Sequence, residues 1–99
     1  MKNIDKEVQE KIIDLITALV PDAKIYLFGS RARQTNAQWS DIDLALDTGK
    51  PLRNSAIDEV KSVLEATNIP YKVDVLDFQS ISTNMQDSIK RDWKIWKGC

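Results

Sequence analysis

Apolar positions recur along this chain with two periods, and the switches between them mark out the elements. From residue 4 to 20, Ile4, Val8, Ile12, Leu15, Ile16 and Leu19 are spaced at helical intervals, while Asp5, Glu7, Glu10 and Lys11 fall mostly elsewhere. The spacing predicts an amphipathic helix that Pro21 stops. Residues 24–28, Lys-Ile-Tyr-Leu-Phe, form a β-branched and aromatic run closed by Gly29, which predicts a strand. Ser30 can cap a short helix through Arg31-Ala32-Arg33. Residues 34–40, Gln-Thr-Asn-Ala-Gln-Trp-Ser, read as polar loop. From 41 to 47 the period becomes two. Ile42, Leu44 and Leu46 share one face, and Asp41, Asp43, Ala45 and Asp47 share the other, as in a strand buried on at least one side.

The second half repeats these signals. Thr48-Gly49-Lys50-Pro51 is a turn. Asn54 or Ser55 then caps a helix whose core face is Ile57, Val60, Val63 and Leu64. Asn68 can end it in a left-handed conformation, and Pro70 blocks continuation. Residues 71–76, Tyr-Lys-Val-Asp-Val-Leu, predict a third strand. Ser80 or Ser82 starts a last helix with Met85 and Ile89 on its buried side, and the tail Trp93-Lys94-Ile95-Trp96 can add a short edge strand. The element order suggests an α/β (α+β) domain over residues 1–99, a small mixed β-sheet with helices packed mainly on one face.

Composition narrows the chemistry. A chain of 99 residues, 42% hydrophobic and 29% charged, supports one domain with a modest core. A net charge of -1 argues against broad nucleic-acid binding, although Arg31 and Arg33 form a local basic pair. The one cysteine, Cys99, cannot form a disulfide within the chain, which suits a reducing, cytoplasmic setting. The apolar runs fall well short of the ~20 residues of a membrane span, and the first residues lack the apolar stretch of a signal peptide. There is no histidine. Ser-His and Cys-His catalysis and His-ligated zinc are therefore excluded from this chain alone, and a general base must be a carboxylate, Lys or Tyr.

Three carboxylates and a glycine turn remain as candidate chemistry. Asp41 and Asp43 point to the same side of their strand, and their repulsion becomes binding when a divalent cation lies between them. Mg²⁺ takes oxygen ligands and usually keeps waters and substrate phosphates. Asp-x-Asp by itself is equally the polar face of an ordinary strand. Gly29-Ser30 ends the preceding strand, where a glycine backbone can approach phosphate oxygens and the serine hydroxyl adds a contact. Asp74 interrupts an otherwise apolar strand. It either joins the other two acids or faces outward from a sheet edge. Arg31 and Arg33 can contact phosphate or pair with an acidic group, and Arg33 fits a solvated helix surface as well. Trp39 can stack on a base or pack its own loop. Trp93 and Trp96 can close the core or offer a patch to another chain.

Leu27-Phe28-Gly29-Ser30-Arg31-Ala32-Arg33, then Ser40-Asp41-Ile42-Asp43-Leu44-Ala45 and Val73-Asp74-Val75, resemble the signature of the minimal nucleotidyltransferases of the DNA polymerase β-like superfamily. The likeness spans about residues 24–77, and it departs at Gln34, where a glycine is common in that family. It implies that Asp41 and Asp43 bind two Mg²⁺ ions and that Asp74 completes the metal and catalytic site and helps activate an acceptor hydroxyl. It further implies that Gly29 and Ser30, with Arg31 and Arg33, hold the triphosphate of ATP. A stand-alone domain of this kind resembles the antitoxin of two-gene modules whose partner is a helical HEPN toxin. The activity so implied is transfer of AMP to a tyrosine of that toxin. Two other readings stay open: transfer to a small molecule presented by a helper subunit, and a toxin-binding module without catalysis.

Overall fold

The computed structural model describes residues 6–33 and 41–98. Helix α1 spans Lys6–Leu19, strand β1 Lys24–Phe28, the short helix α2 Ser30–Arg33 and strand β2 Ile42–Asp47. Helix α3 follows at Asn54–Ala66, strand β3 at Val73–Asp77, helix α4 at Thr83–Asp92 and strand β4 at Lys94–Lys97, with a 3₁₀ turn at Phe78–Ser80. Ile4, loop 34–40 with its Trp39, and Cys99 lie outside the described residues.

Among the described residues the strands form one sheet in the order β3-β2-β1-β4. β1 runs antiparallel to both β2 and β4, while β2 and β3 are parallel. A parallel pair needs a crossover, and α3 supplies it. This is the mixed α+β sheet that the element order suggested, with the tail 94–97 as its edge strand.

The alternation in β2 decides where the core lies. Ile42, Leu44 and Leu46 are 0% exposed and pack with Ile12 and Ile16 of α1 and Val60 and Leu64 of α3. The opposite face is covered over only part of its length. Ala45 is buried there with Tyr26, Phe78 and Ile89 of α4. Trp93 lies flat on Tyr26, with ring centroids 3.8 Å apart and planes 8° apart, and it tilts against Phe78 at 5.5 Å. Trp96 packs against the main core, so both tail tryptophans serve packing.

Several boundaries differ from expectation, each for a local reason. α3 begins at Asn54 with Arg53 as its N-cap and no side-chain cap bond, so Asn54 and Ser55 lie inside the helix. It ends through Thr67 before Asn68 is reached. Thr67 is extended, its N–H donates to the carbonyls of Val63 and Leu64, and its Oγ1 donates to the Val63 carbonyl at 2.8 Å. β3 starts at Val73, two residues after Tyr71. α4 is capped by Ser82, whose Oγ accepts from the Met85 N–H at 3.2 Å. Ile89 is the buried residue of α4, whereas Met85 is 43% exposed because α4 lays only a narrow stripe on the sheet. Leu19, at the end of α1, is also exposed, and the helix buries Ile12 and Ile16 instead.

Asp77 is a buried anchor that the sequence pattern did not single out. It ends β3 and caps the 3₁₀ turn. Its Oδ2 accepts from the Leu52 N–H at 2.8 Å and from the Ser80 hydroxyl at 2.6 Å, and its Oδ1 accepts from the Gln79 N–H at 3.1 Å. These bonds tie β3 to the segment entering α3. Next to it, Asp47 Oδ1 accepts from the Gly49 N–H and from Gln79 Nε2, each at 2.8 Å. Asp77→Ala would leave these donors without an acceptor, and its expected cost is about 2–4 kcal/mol. Asp74→Ala removes an exposed pair with Lys61 and a local acceptor for the Val75 N–H, and should cost about 1 kcal/mol. Urea unfolding of both variants checks this, and equal costs would contradict the assigned roles.

Candidate active site

The turn between β1 and α2 and the start of β2 form one rim of the sheet. Phe28 pairs with Asp43 across the antiparallel ladder, so Gly29 emerges beside the Asp43 carboxylate. Gly29 has φ +77°, a left-handed conformation that glycine adopts without a Cβ clash. A Cβ on Gly29 would stand 2.6 Å from Asp43 Oδ2. The glycine therefore serves two ends at once: it turns the backbone and leaves room for a carboxylate against it. Asp43 itself is half-buried.

The parallel register brings in the third acid. Asp43 is the Cα partner of Asp74, and the Ile42 N–H donates to the Lys72 carbonyl at 2.9 Å just before it. Partners in a ladder share a face, and so do residues two apart on a strand. Asp41, Asp43 and Asp74 thus belong to the same side of the sheet, the side that α4 leaves open at this end. Asp41 is exposed at the entry to β2. The Asp74 side chain is 59% exposed and lies 3.5 Å from Lys61 Nζ, and its Oδ1 also accepts from the Val75 N–H at 3.1 Å.

The donor set is all oxygen, which suits Mg²⁺. Among the described residues no three acidic side chains close around a common point to cage a metal by themselves. That arrangement is compatible with an ion that relies on one or two carboxylates, waters and substrate phosphates, as Mg²⁺ usually does. The lining at Gly29 and the convergence of face at Asp43 and Asp74 fit such an ion.

The basic residues separate. Arg31 is only 5% exposed, and its guanidinium lies 4.6 Å from the centre of the Tyr71 ring. Sequence reasoning offered Arg31 to phosphate or to an acidic group; in the fold it packs against the segment leading into β3. Its stacking holds α2, and with it the glycine turn, to the strand that carries Asp74. For Ser30 and Arg33 the structure describes the helical backbone of α2 only. Tyr71 had one signal in the sequence, an aromatic residue just before a strand, but nothing local points it at Arg31.

Gly29→Ala separates the backbone demand from the carboxylate contact. Backbone strain at φ +77° sets the expected stability cost at about 1–2 kcal/mol. It should be nearly the same in an Asp43→Ala background. A thermal-melt double-mutant cycle tests this, and a larger cost that vanishes in the double variant would show that the contact itself dominates.

Comparison with known proteins supplies the family. Residues 10–96 match the family model described as Polymerase beta, Nucleotidyltransferase. The chain is 32% identical over 77 residues to a probable protein adenylyltransferase MntA of Haemophilus influenzae, covering 78% of this chain and 68% of that protein. It is 34% identical over 90 residues to the protein adenylyltransferase MntA of Shewanella oneidensis, covering 89% of this chain and 64% of that one. The chain thus spans about two thirds of the length of these relatives. A solved structure of tri-AMPylated Shewanella oneidensis HEPN toxin in complex with MNT antitoxin superposes with a TM-score of 0.76 at 29% identity, over 97% of this chain and 74% of that one. With the family model matching residues 10–96, the chain belongs to the polymerase beta nucleotidyltransferase family.

Proposed function

We propose that this chain transfers AMP from ATP to a tyrosine hydroxyl of a HEPN-type toxin and so acts as its antitoxin. The observation that carries the reading is the rim itself: the Asp43 carboxylate against the left-handed Gly29, with Asp74 as its partner on the next strand. The MntA relatives are named protein adenylyltransferases, and a similar solved structure pairs an MNT antitoxin with an AMPylated HEPN toxin. These likenesses favour a protein acceptor over a small molecule.

In this reading the Gly29 turn, with Ser30, receives the triphosphate. Asp41, Asp43 and Asp74 would hold Mg²⁺, which when bound offsets charge on the phosphates and aligns an in-line displacement. The acceptor oxygen forms a bond to the α-phosphorus, the bond from that phosphorus to the bridging oxygen breaks, and pyrophosphate leaves. The acceptor proton passes to a carboxylate of the rim, in a chain that has no histidine to take it. Asp74 is the best placed, because it lies beside Asp43 and remains open to solvent. Arg31, stacked over the Tyr71 ring, holds the turn in place, and Arg33 is the cation of this segment proposed to meet phosphate. Two Mg²⁺ ions are the number expected for this chemistry.

Co-expression with the partner toxin and intact-mass measurement tests the activity. The wild type should add one or more adenylyl groups to the toxin. Asp43→Asn should reduce that transfer at least about a hundredfold while the complex stays intact by size exclusion. A toxin that gains no mass with the wild type would overturn the enzymatic reading. Continued protection by Asp43→Asn would instead indicate neutralisation by binding alone.

A further inference from the structure

Lys61 of α3 reaches the acid rim from the opposite side of the sheet. α3 packs Val60 and Leu64 on the face that buries Ile42, Leu44 and Val75, whereas Asp43 and Asp74 belong to the other face. β3 is an edge strand of the described sheet, so a long side chain on the flank of α3 can pass round it. Lys61 does so, and its Nζ stands 3.5 Å from Asp74 Oδ1. We propose that Lys61 is the resident counter-ion of the rim: it neutralises Asp74 until a divalent cation takes its place, and so sets the metal affinity of the site. The proposal rests on the metal reading of the three aspartates and names a residue that reading leaves out.

The geometry suits an exchangeable cation. Asp74 Oδ1 is shared between Lys61 Nζ and the Val75 N–H, which donates at 3.1 Å. Asp74 Oδ2 takes no hydrogen bond from the described residues, so the carboxylate offers its second oxygen to an incoming ion. At 3.5 Å the ammonium is at ion-pair distance, beyond the roughly 2.7–3.2 Å of an ordinary N–H···O bond. The Lys61 and Asp74 side chains are 41% and 59% exposed, so water can replace either partner at low cost. Lysine suits this role: it is a point charge on a flexible stem and demands no fixed fork geometry, as arginine does.

The rim has a use for such a charge. Asp43 and Asp74 are ladder partners, so two like charges face each other across adjacent strands, and Asp41 adds a third on the same side. Like charges placed directly opposite destabilise a sheet. A bound divalent cation offsets that repulsion, and Lys61 offsets part of it beforehand. Both cations draw on the same carboxylate, so they compete. Removing the Lys61 charge should therefore strengthen metal binding and weaken the metal-free fold. A lysine that merely solvates the surface would do neither. One that only steers Asp74 would weaken metal binding when removed.

Titration of the full chain with Mn²⁺, followed by loss of the free-ion EPR signal, tests the assignment. Lys61→Met keeps the stem and removes the charge. It should bind Mn²⁺ about three- to tenfold more tightly than the wild type, as expected when one unit charge leaves the neighbourhood of a divalent ion at a half-exposed site. Lys61→Arg keeps the charge and should stay within about twofold of the wild type. Lys24→Met, at the far end of β1 opposite Asp47, controls for net charge and should also change affinity by less than about twofold. In an Asp74→Asn background the gain from Lys61→Met should shrink, because the pair is already broken. In EDTA, Lys61→Met should melt about 2–4 °C below the wild type, and saturating Mg²⁺ should close that gap. Equal Mn²⁺ affinity of the wild type and Lys61→Met, or weaker binding by the variant, would overturn the counter-ion role while leaving the aspartates as the metal site. A wild type that takes up no Mn²⁺ would remove the metal site itself, and the role of Lys61 with it.

Discussion

The register of β2 is the constraint on which the rest depends. This strand has β1 on one side and β3 on the other, and Ile42, Leu44 and Leu46 are fully buried beneath α1 and α3. Slipping it by one residue would turn those three side chains out of the core and drive Asp43 and Asp47 in. Burying a carboxylate without a partner costs several kcal/mol, so the slip is closed off. The same register sets Asp43 opposite Phe28 on one side and opposite Asp74 on the other. Core and rim are thus two consequences of one alignment.

The second face of the sheet shows how the site stays open. Ala45 is small and lies under Phe78, Ile89 and the stacked Tyr26 and Trp93. Two residues earlier, Asp43 lies against the glycine turn. α4 covers the first region and stops short of the second, leaving a pocket between itself and the end of β1. At the other end of β2 and β3, Asp47 and Asp77 are occupied with hydrogen bonds to Gly49, Gln79, Leu52 and Ser80. Carboxylates with the same chemistry therefore divide by position. Those at the strand ends near Gln79 hold the fold, and those at the strand starts face the open rim.

Local pattern made much of this legible. The alternation in 41–47 identified the buried and polar faces of β2, and Gly29 stood out as a turn residue before the structure showed its left-handed φ. Other features were hidden because they depend on distant neighbours. Arg31 read as a cation able to meet phosphate or an acidic group, and the fold adds Tyr71, forty residues away in sequence, under its guanidinium. Met85 has the spacing of a core residue, yet α4 buries only Ile89 among its own residues. Asp77 carried a weak signal, an aspartate at a strand end just before a serine, of the kind that builds short turns. Its bond to Leu52 could not be read from that segment.

By itself the sequence determined which side chains share a face, where glycine was needed, and that no histidine can do the proton work in this chain. Those properties follow from bond geometry and residue chemistry, which act over a few positions. The tertiary structure alone decided that β3 lies parallel to β2, that Asp74 therefore stands beside Asp43, and that α4 comes to rest next to Gly29. Strand order and helix placement are set by burial of apolar surface summed over the whole chain, and no short segment carries that sum.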